Sequence, residues 1–147
     1  MTAVVRATAA DAAVTEAVVA AAFAGYVPRI GRPPAPMTAD YPALIAAGHV
    51  WLGADPDPVG VLVLVPMPDH LLLDTVAVHP AAQGRGVGAA LLRFAEERAR
   101  ALGLPEIRLY TNAAMHENLA YYPRRGYRET RRATEAGFHR VYYTKEL

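Results

Sequence analysis

Three glycines fall at positions 84, 86 and 88 in the run Gln83-Gly84-Arg85-Gly86-Val87-Gly88-Ala89. The apolar, strand-like Val76-Ala77-Val78 precedes them and a helical period follows, so the loop leads into the first turn of a long helix. Glycines there permit positive φ and close backbone approach, while first-turn amides of a helix have no intrahelical partner. Together with the positive end of the helix dipole this makes an anion site, most naturally for a phosphate or pyrophosphate. Arg85 adds a fixed positive charge. The same glycines would also serve a plain strand-to-helix turn. A Walker-type loop needs Gly-Lys-Ser/Thr, and a dinucleotide site needs G-x-G-x-x-G with an acid ending the next strand. Here the pattern is G-x-G-x-G and the next strand ends at Thr111-Asn112, so both nucleotide readings fall behind.

Asp74 is the second chemical signal. It follows three leucines on a strand that is otherwise apolar, where a carboxylate is costly unless solvated or paired. It reads as a general base acting through water, as an anchor for a cationic amine, or as a charge facing a wet groove. The five histidines show no metal spacing and read first as surface or edge residues, with His116, near a helix start, the one weighed as an alternative base. The absence of cysteine excludes disulfides, thiolate zinc sites and a cysteine nucleophile, and leads to the expectation of a cytoplasmic, reduced setting. Arg124, Arg125, Arg128, Arg131 and Arg132 form the densest basic cluster. They lack interleaved stacking aromatics, which argues against a nucleic-acid partner.

These residues need a scaffold, and the periodicities supply one. Strands are expected at 4–7, 49–53, 59–65, 71–78, 106–111, 127–131 and 138–144. Helices are expected from a Thr8/Asp11 capping box to Gly25, over 40–47, over a long stretch from Val87 to Gly103, and over 116–125. The long helix has Val87, Leu91, Phe94 and Leu102 on one face. The proline-rich segment 26–37 reads as a stiff, irregular loop. Turns at 54–58 and 66–69 make the three central strands antiparallel, and their continuous apolar character implies a sheet covered on both faces. The expected fold is a single α/β (α+β layered) domain over 1–147 with a mixed, mostly antiparallel six- to seven-stranded sheet. No secretory start is recognised after Met1, and the longest apolar run, near 17–27, is about half of the ~20 residues a membrane span needs. The net charge of +1 hides a split: residues 1–82 carry three cations against seven acids, and residues 83–147 carry twelve against seven. An anionic partner for the C-terminal half is the inference.

With the motifs in place, the chain resembles the GNAT superfamily of acyl-CoA-dependent N-acetyltransferases. Gln83-Gly84-Arg85-Gly86-Val87-Gly88 is similar to that family's Q/R-x-x-G-x-G/A loop, and Tyr121-Tyr122-Pro123-Arg124-Arg125-Gly126-Tyr127 to its L-Y-x-x-x-G-F/Y segment. The two motifs lie about 35 residues apart in the corresponding elements, and the element order matches over nearly the whole chain. The resemblance implies acetyl-CoA as co-substrate, without a metal, and an amine-bearing acceptor of unidentified nature. It implies that residues 83–89 hold the coenzyme pyrophosphate and that Val76, Ala77 and Val78 hold the pantetheine arm and acyl carbonyl. Asn112 and Asn118 resemble positions that contact the pantetheine amides, and Asn118 reads equally as a polar residue early in its helix. Tyr122 would protonate the departing thiolate, with Tyr121 lining the coenzyme site and standing as the fallback donor. Pro123 departs from the family pattern and puts the placing of the Tyr122 hydroxyl in question. Tyr26, Arg29 and Arg32 would grip an acceptor carboxylate, or else belong to a solvated loop. Direct attack by a primary amine in a ternary complex is the expected reaction, with a non-catalytic acyl-CoA-binding module as the alternative. A homodimer is a family-level expectation, and no membrane partner is expected.

Overall fold

A computed structural model of the chain describes residues 2–147, so Met1 of the N-terminal reading lies outside the described residues. The first strand, β1 (Ala3–Arg6), is followed by the expected capping box, in which the Asp11 carboxylate accepts the Thr8 amide at 2.8 Å. A 3-10 turn (Ala9–Asp11) then opens α1 (Ala12–Phe23). Gly25 does not close this helix. A second 3-10 turn (Ala24–Tyr26) and α2 (Val27–Ile30) carry the helical path on to Gly31. Pro28 permits this because it sits in the first turn of α2, where a missing N–H breaks no bond. The segment expected to be an irregular loop is therefore partly helical, with a further 3-10 turn at Ala35–Thr38. The helical path Ala9–Ile30 spans 22 residues and is apolar and long enough to cross a membrane by length and composition, unlike the shorter run expected. Its Val18 and Val19 are buried in the core beneath the sheet.

The remaining elements follow the expected order. They are α3 (Tyr41–Ala46), β2 (Val50–Ala54), β3 (Pro58–Pro66), β4 (Leu71–Val78), α4 (Val87–Ala101), β5 (Glu106–Asn112), α5 (His116–Arg124), β6 (Arg128–Glu135) and β7 (Phe138–Glu146). The strands form one seven-stranded sheet in the order β1-β2-β3-β4-β5-β7-β6, antiparallel throughout except for β4 and β5. Two cores sandwich it. Leu62 and Leu64 of β3 face α4 and α5, whereas Val61 and Val63 face α1 and α3, which explains why the central strands are apolar without a break. Leu102 departs from the expected face. It lies past the last turn of α4 and is 40% exposed, while Ala95 and Ala99 take the buried positions.

Two irregularities interrupt β4. Its ladder with β5 holds only the pairs Leu71–Ile107 and Leu72–Arg108, and the strands then diverge, leaving the β5-side edge of residues 73–78 without a strand partner. A bulge also falls at Asp74: Val63 pairs with Thr75 and Leu64 with Leu73, so Asp74 is the extra residue. The slip inverts the facing of the strand. Leu71 and Leu73 point to the α4 side before it, and Val76 and Val78 point there after it.

The start of α4 is set against the sheet by small residues. A Cβ added at Gly60 would meet Val87 Cγ1 at 2.9 Å and Leu91 Cδ1 at 3.0 Å, and both side chains are fully buried. Gly60→Ala is therefore expected to lower stability by about 1–3 kcal/mol through overpacking, read as a shift in the denaturant unfolding midpoint. An unchanged midpoint would show that α4 yields freely at this contact.

Candidate active site

The glycine run forms the floor of a cavity of 570 Å³, within the ~300–1,000 Å³ usual for ligand pockets. After β4 the chain makes a 3-10 turn (Pro80–Ala82), in which His79 Nδ1 accepts the Ala81 amide at 3.1 Å. Gly84 and Gly86 then adopt φ near +81°, a region that L side chains rarely enter, and Gly86 is the N-cap of α4. The first helical bond runs from the Ala90 amide to the Gly86 carbonyl at 3.0 Å. Amides 84–89 make no backbone hydrogen bond among the described residues and stand at the positive end of a 15-residue helix. A Cβ at Gly84 or Gly86 would meet nothing within 4 Å, so the cradle is open.

Most residues expected around a coenzyme meet in this cavity. Val76, Ala77, Val78, Gln83, Gly84, Gly86, Val87, Gly88, Ala89, Asn118, Tyr121 and Tyr122 all line it. Two do not. The Arg85 side chain turns away and pairs with Asp55, donating Nη2 to its carboxylate at 2.9 Å and also to its carbonyl. The Asn112 carboxamide caps the turn into α5 by accepting the Ala114 amide at 2.9 Å, and its side of the site is a second cavity. The positive charge lining the first cavity comes instead from Arg125, whose guanidinium lies 5.0 Å from the centre of the Tyr121 ring. A positional signal for it existed, since it closes the tyrosine motif one residue before Gly126.

Tyr122 is placed by the end of its helix. Gly126, at φ +92°, puts the chain into a left-handed turn in which the Tyr127 amide reaches the Tyr122 carbonyl at 3.1 Å and the Gly126 amide reaches Pro123 at 3.2 Å. This is a Schellman closure, and the expected apolar contact across it is the Tyr122–Tyr127 ring pair at 5.6 Å. Pro123 lies in the last turn, where the closure holds the Tyr122 backbone despite the lost amide. The Tyr122 ring is also packed on Tyr121 and Tyr143, and burial pushes its hydroxyl well above the ordinary phenol value. It stays protonated throughout the neutral range. The neighbouring Tyr121 points elsewhere, with its hydroxyl 3.7 Å from where a Cβ on Gly88 would stand.

The second cavity, of 190 Å³, contains Asp74. It shares Phe23, Val76, Asn118 and Tyr122 with the first, so the two adjoin across the residues next to the open strand edge. Burial raises the Asp74 carboxyl above its ordinary value, while the charges of Arg140 and His49 pull it back. Asn118 is fixed by donating to Thr111 Oγ1 at 2.9 Å. Tyr26, Arg29 and Arg32 are absent from this cavity's wall. The Tyr26 hydroxyl and Arg29 both bond Glu117, at 3.1 and 2.8 Å, and so tie the α1–α2 corner to α5. Arg32 donates to the Ala136 carbonyl and lies 3.7 Å above the Phe138 ring, fastening the proline-rich segment to the β6–β7 turn. His116 is exposed and lines neither cavity. Sequence reasoning missed Tyr110, Phe138 and Arg140, which line the smaller cavity from strands whose exposed-looking alternation gave no sign of it.

The arrangement joins an anion cradle, a free strand edge, a protonated phenol and a half-buried carboxylate along one continuous wall. The family model described as "Acetyltransferase (GNAT) family" matches residues 16–127. No curated protein sequence matches the chain. Among solved structures it is similar to the PaiA N-acetyltransferase of Thermoplasma acidophilum in complex with coenzyme A, with a TM-score of 0.82 at 15% identity over 100% of this chain and 99% of that one. It is also similar to a GCN5-related N-acetyltransferase from Rhodopseudomonas palustris, with a TM-score of 0.75 at 26% identity over 99% and 95%. An IAA acetyltransferase from Bacillus cereus gives a TM-score of 0.75 at 20% identity over the full length of both chains. The family match spans both motif-bearing helices and every strand from β2 to β5, and the chain is an acetyltransferase of the GNAT family.

Proposed function

We propose that the protein moves the acetyl group of acetyl-CoA directly onto the primary amine of an acceptor held in the smaller cavity. The observation that carries this reading is the meeting of the two cavities at Val76, Asn118 and Tyr122. Acetyl-CoA supplies the activated acyl group as a thioester. On this chain, amides 84–89 and Arg125 take the pyrophosphate, and the free edge of β4 takes the amide-bearing arm. Strand N–H groups near Val76 to Val78 stabilise negative charge on the carbonyl oxygen as the amine attacks. Asp74 holds the incoming ammonium and accepts its proton, directly or through water. Tyr122 donates its proton to the departing sulfur. The carbon–nitrogen bond forms as the carbon–sulfur bond breaks, giving the acetamide and free thiol. With no cysteine in the chain, no cysteine acyl-enzyme relay exists, and the ternary complex is the simplest route.

Three variants test separate parts of this reading. Gly86→Val forces a β-branched residue to φ +81° and should remove measurable coenzyme A binding by calorimetry while unfolding stays cooperative. Retained affinity would place the pyrophosphate elsewhere. Tyr122→Phe should lower turnover by about 10²-fold or more with little change in acetyl-CoA affinity. Unchanged turnover would assign the acid to Tyr121 or water.

Asp74→Asn gives two readouts of opposite sign. Turnover should fall by a comparable factor. The folded-state pKa of Asp74 is raised by burial, so the wild type loses stability as pH rises through the ordinary carboxylate value of 3.8 toward the raised one. The variant should therefore be the more stable protein at neutral pH, and the difference should vanish below the ordinary value. A loss of stability at neutral pH would mean that Asp74 is a structural charge.

A further inference from the structure

Two charged side chains line the smaller cavity, Asp74 from β4 and Arg140 from β7. Their charges interact, and among the described residues no ion pair within 4.0 Å joins them across the cavity that both line. Arg140 is held ready for a ligand. Its guanidinium lies 4.3 Å from the centre of the Tyr110 ring and 5.7 Å from that of Phe138, and its Nη1 donates to Glu135 at 3.2 Å. The Tyr142 hydroxyl also lies within its reach. Those two acceptors leave most of its five donors unclaimed. The side chain is 14% exposed, and its unclaimed N–H groups are available to an acceptor in the cavity it lines. Glu135 does not fully neutralise it, because Glu135 also binds Arg131 at 3.4 Å and the Tyr142 hydroxyl. The cavity thus presents a carboxylate on one wall and a stacked, under-used guanidinium on another.

We infer that the acceptor is a small amino-carboxylate, whose ammonium group is held by Asp74 and whose carboxylate is held by Arg140. A planar guanidinium fixed by stacking is suited to two parallel bonds to a carboxylate. The roof favours a free small molecule over a protein surface. Pro34, Ala35 and Pro36 close one side of the cavity, and the Tyr41 hydroxyl holds the Pro36 carbonyl at 2.6 Å. Arg32 fastens the same segment to the β6–β7 turn. Tyr110, Phe138 and Phe23 leave room for an apolar body between the charged ends.

This inference rests on the proposed acetyl transfer, and its test separates the two. Amino acids and the amines obtained from them by removing the carboxylate are compared pairwise as acceptors, with thiol release from acetyl-CoA as the readout. The wild type should favour the carboxylated member by about 10- to 100-fold in kcat/KM, the range expected for a charged hydrogen-bonded contact. Arg140→Gln should bring that ratio close to one, mainly through KM, with coenzyme A affinity and the unfolding midpoint reported alongside. Equal or faster acetylation of the decarboxylated amines by the wild type would overturn the inference and leave acetyl transfer standing. So would acetylation of peptide amines in preference to both. Binding of the same pairs to the coenzyme A-loaded protein, followed by calorimetry, gives an answer independent of turnover. Equal affinity for both members would overturn it as well.

Discussion

The divergence of β4 from β5 after Leu72 is the constraint on which the site depends. Two adjacent parallel strands must be joined by a crossover, and here the crossover is α4, so its N-terminus emerges where β4 ends. Once the strands part, the polar groups of β4 on that side need partners from water or ligand. One topological feature therefore sets a free strand edge beside a helix N-terminus. Ligands in open α/β sheets collect at such carboxyl ends. The bulge at Asp74 belongs to the same region and exempts one carboxylate from the β3 register, aiming it into the smaller cavity.

The charge asymmetry between the two halves takes a different form in the fold. Three of the five arginines in the densest basic cluster are paired on the surface: Arg128 with Glu146, Arg131 with Glu135, and Arg132 with Glu129. Such exposed pairs contribute little to stability. Two arginines differ from these. Arg125 lines the cavity of the glycine loop, and Arg140 lines the cavity of Asp74. The basic half thus provides a cation on both sides of the proposed transfer, and the acidic half provides Asp74 and the roof of the smaller cavity.

Legibility followed the range of the interaction. The glycine loop, the α5 tyrosines and the meander from β2 to β4 could be read from sequence because each is governed by local spacing. The boundaries of β4 were read to the residue. The direction of the Arg85 side chain was not legible because the partner that turns it, Asp55, lies thirty residues away on the β2–β3 turn. Tyr26 and Arg29, read either as ligand contacts or as part of a solvated loop, both bond Glu117 across about ninety residues of sequence, and Tyr26 lines the larger cavity. Arg140 was invisible for the converse reason. On a strand read as a closing one it looked solvated, and only the neighbouring strand β5, which brings Tyr110 against its guanidinium, together with Phe138 on its own strand, makes it a wall of the site. Pro28 misled because proline breaks a helix interior but suits a first turn, and sequence alone did not fix which position it held.

The proposed reaction is transfer without a covalent enzyme intermediate, from the open edge of β4 to an amine beside Asp74. The decisive measurement is a single turnover, begun by rapid mixing of the acetyl-CoA-saturated protein with an acetylatable amine. Free thiol and acetylated amine should appear together at one rate, and no acetylated protein should accumulate before the amine is added. A burst of thiol with acetyl retained on the protein, in the absence of acceptor, would contradict direct transfer.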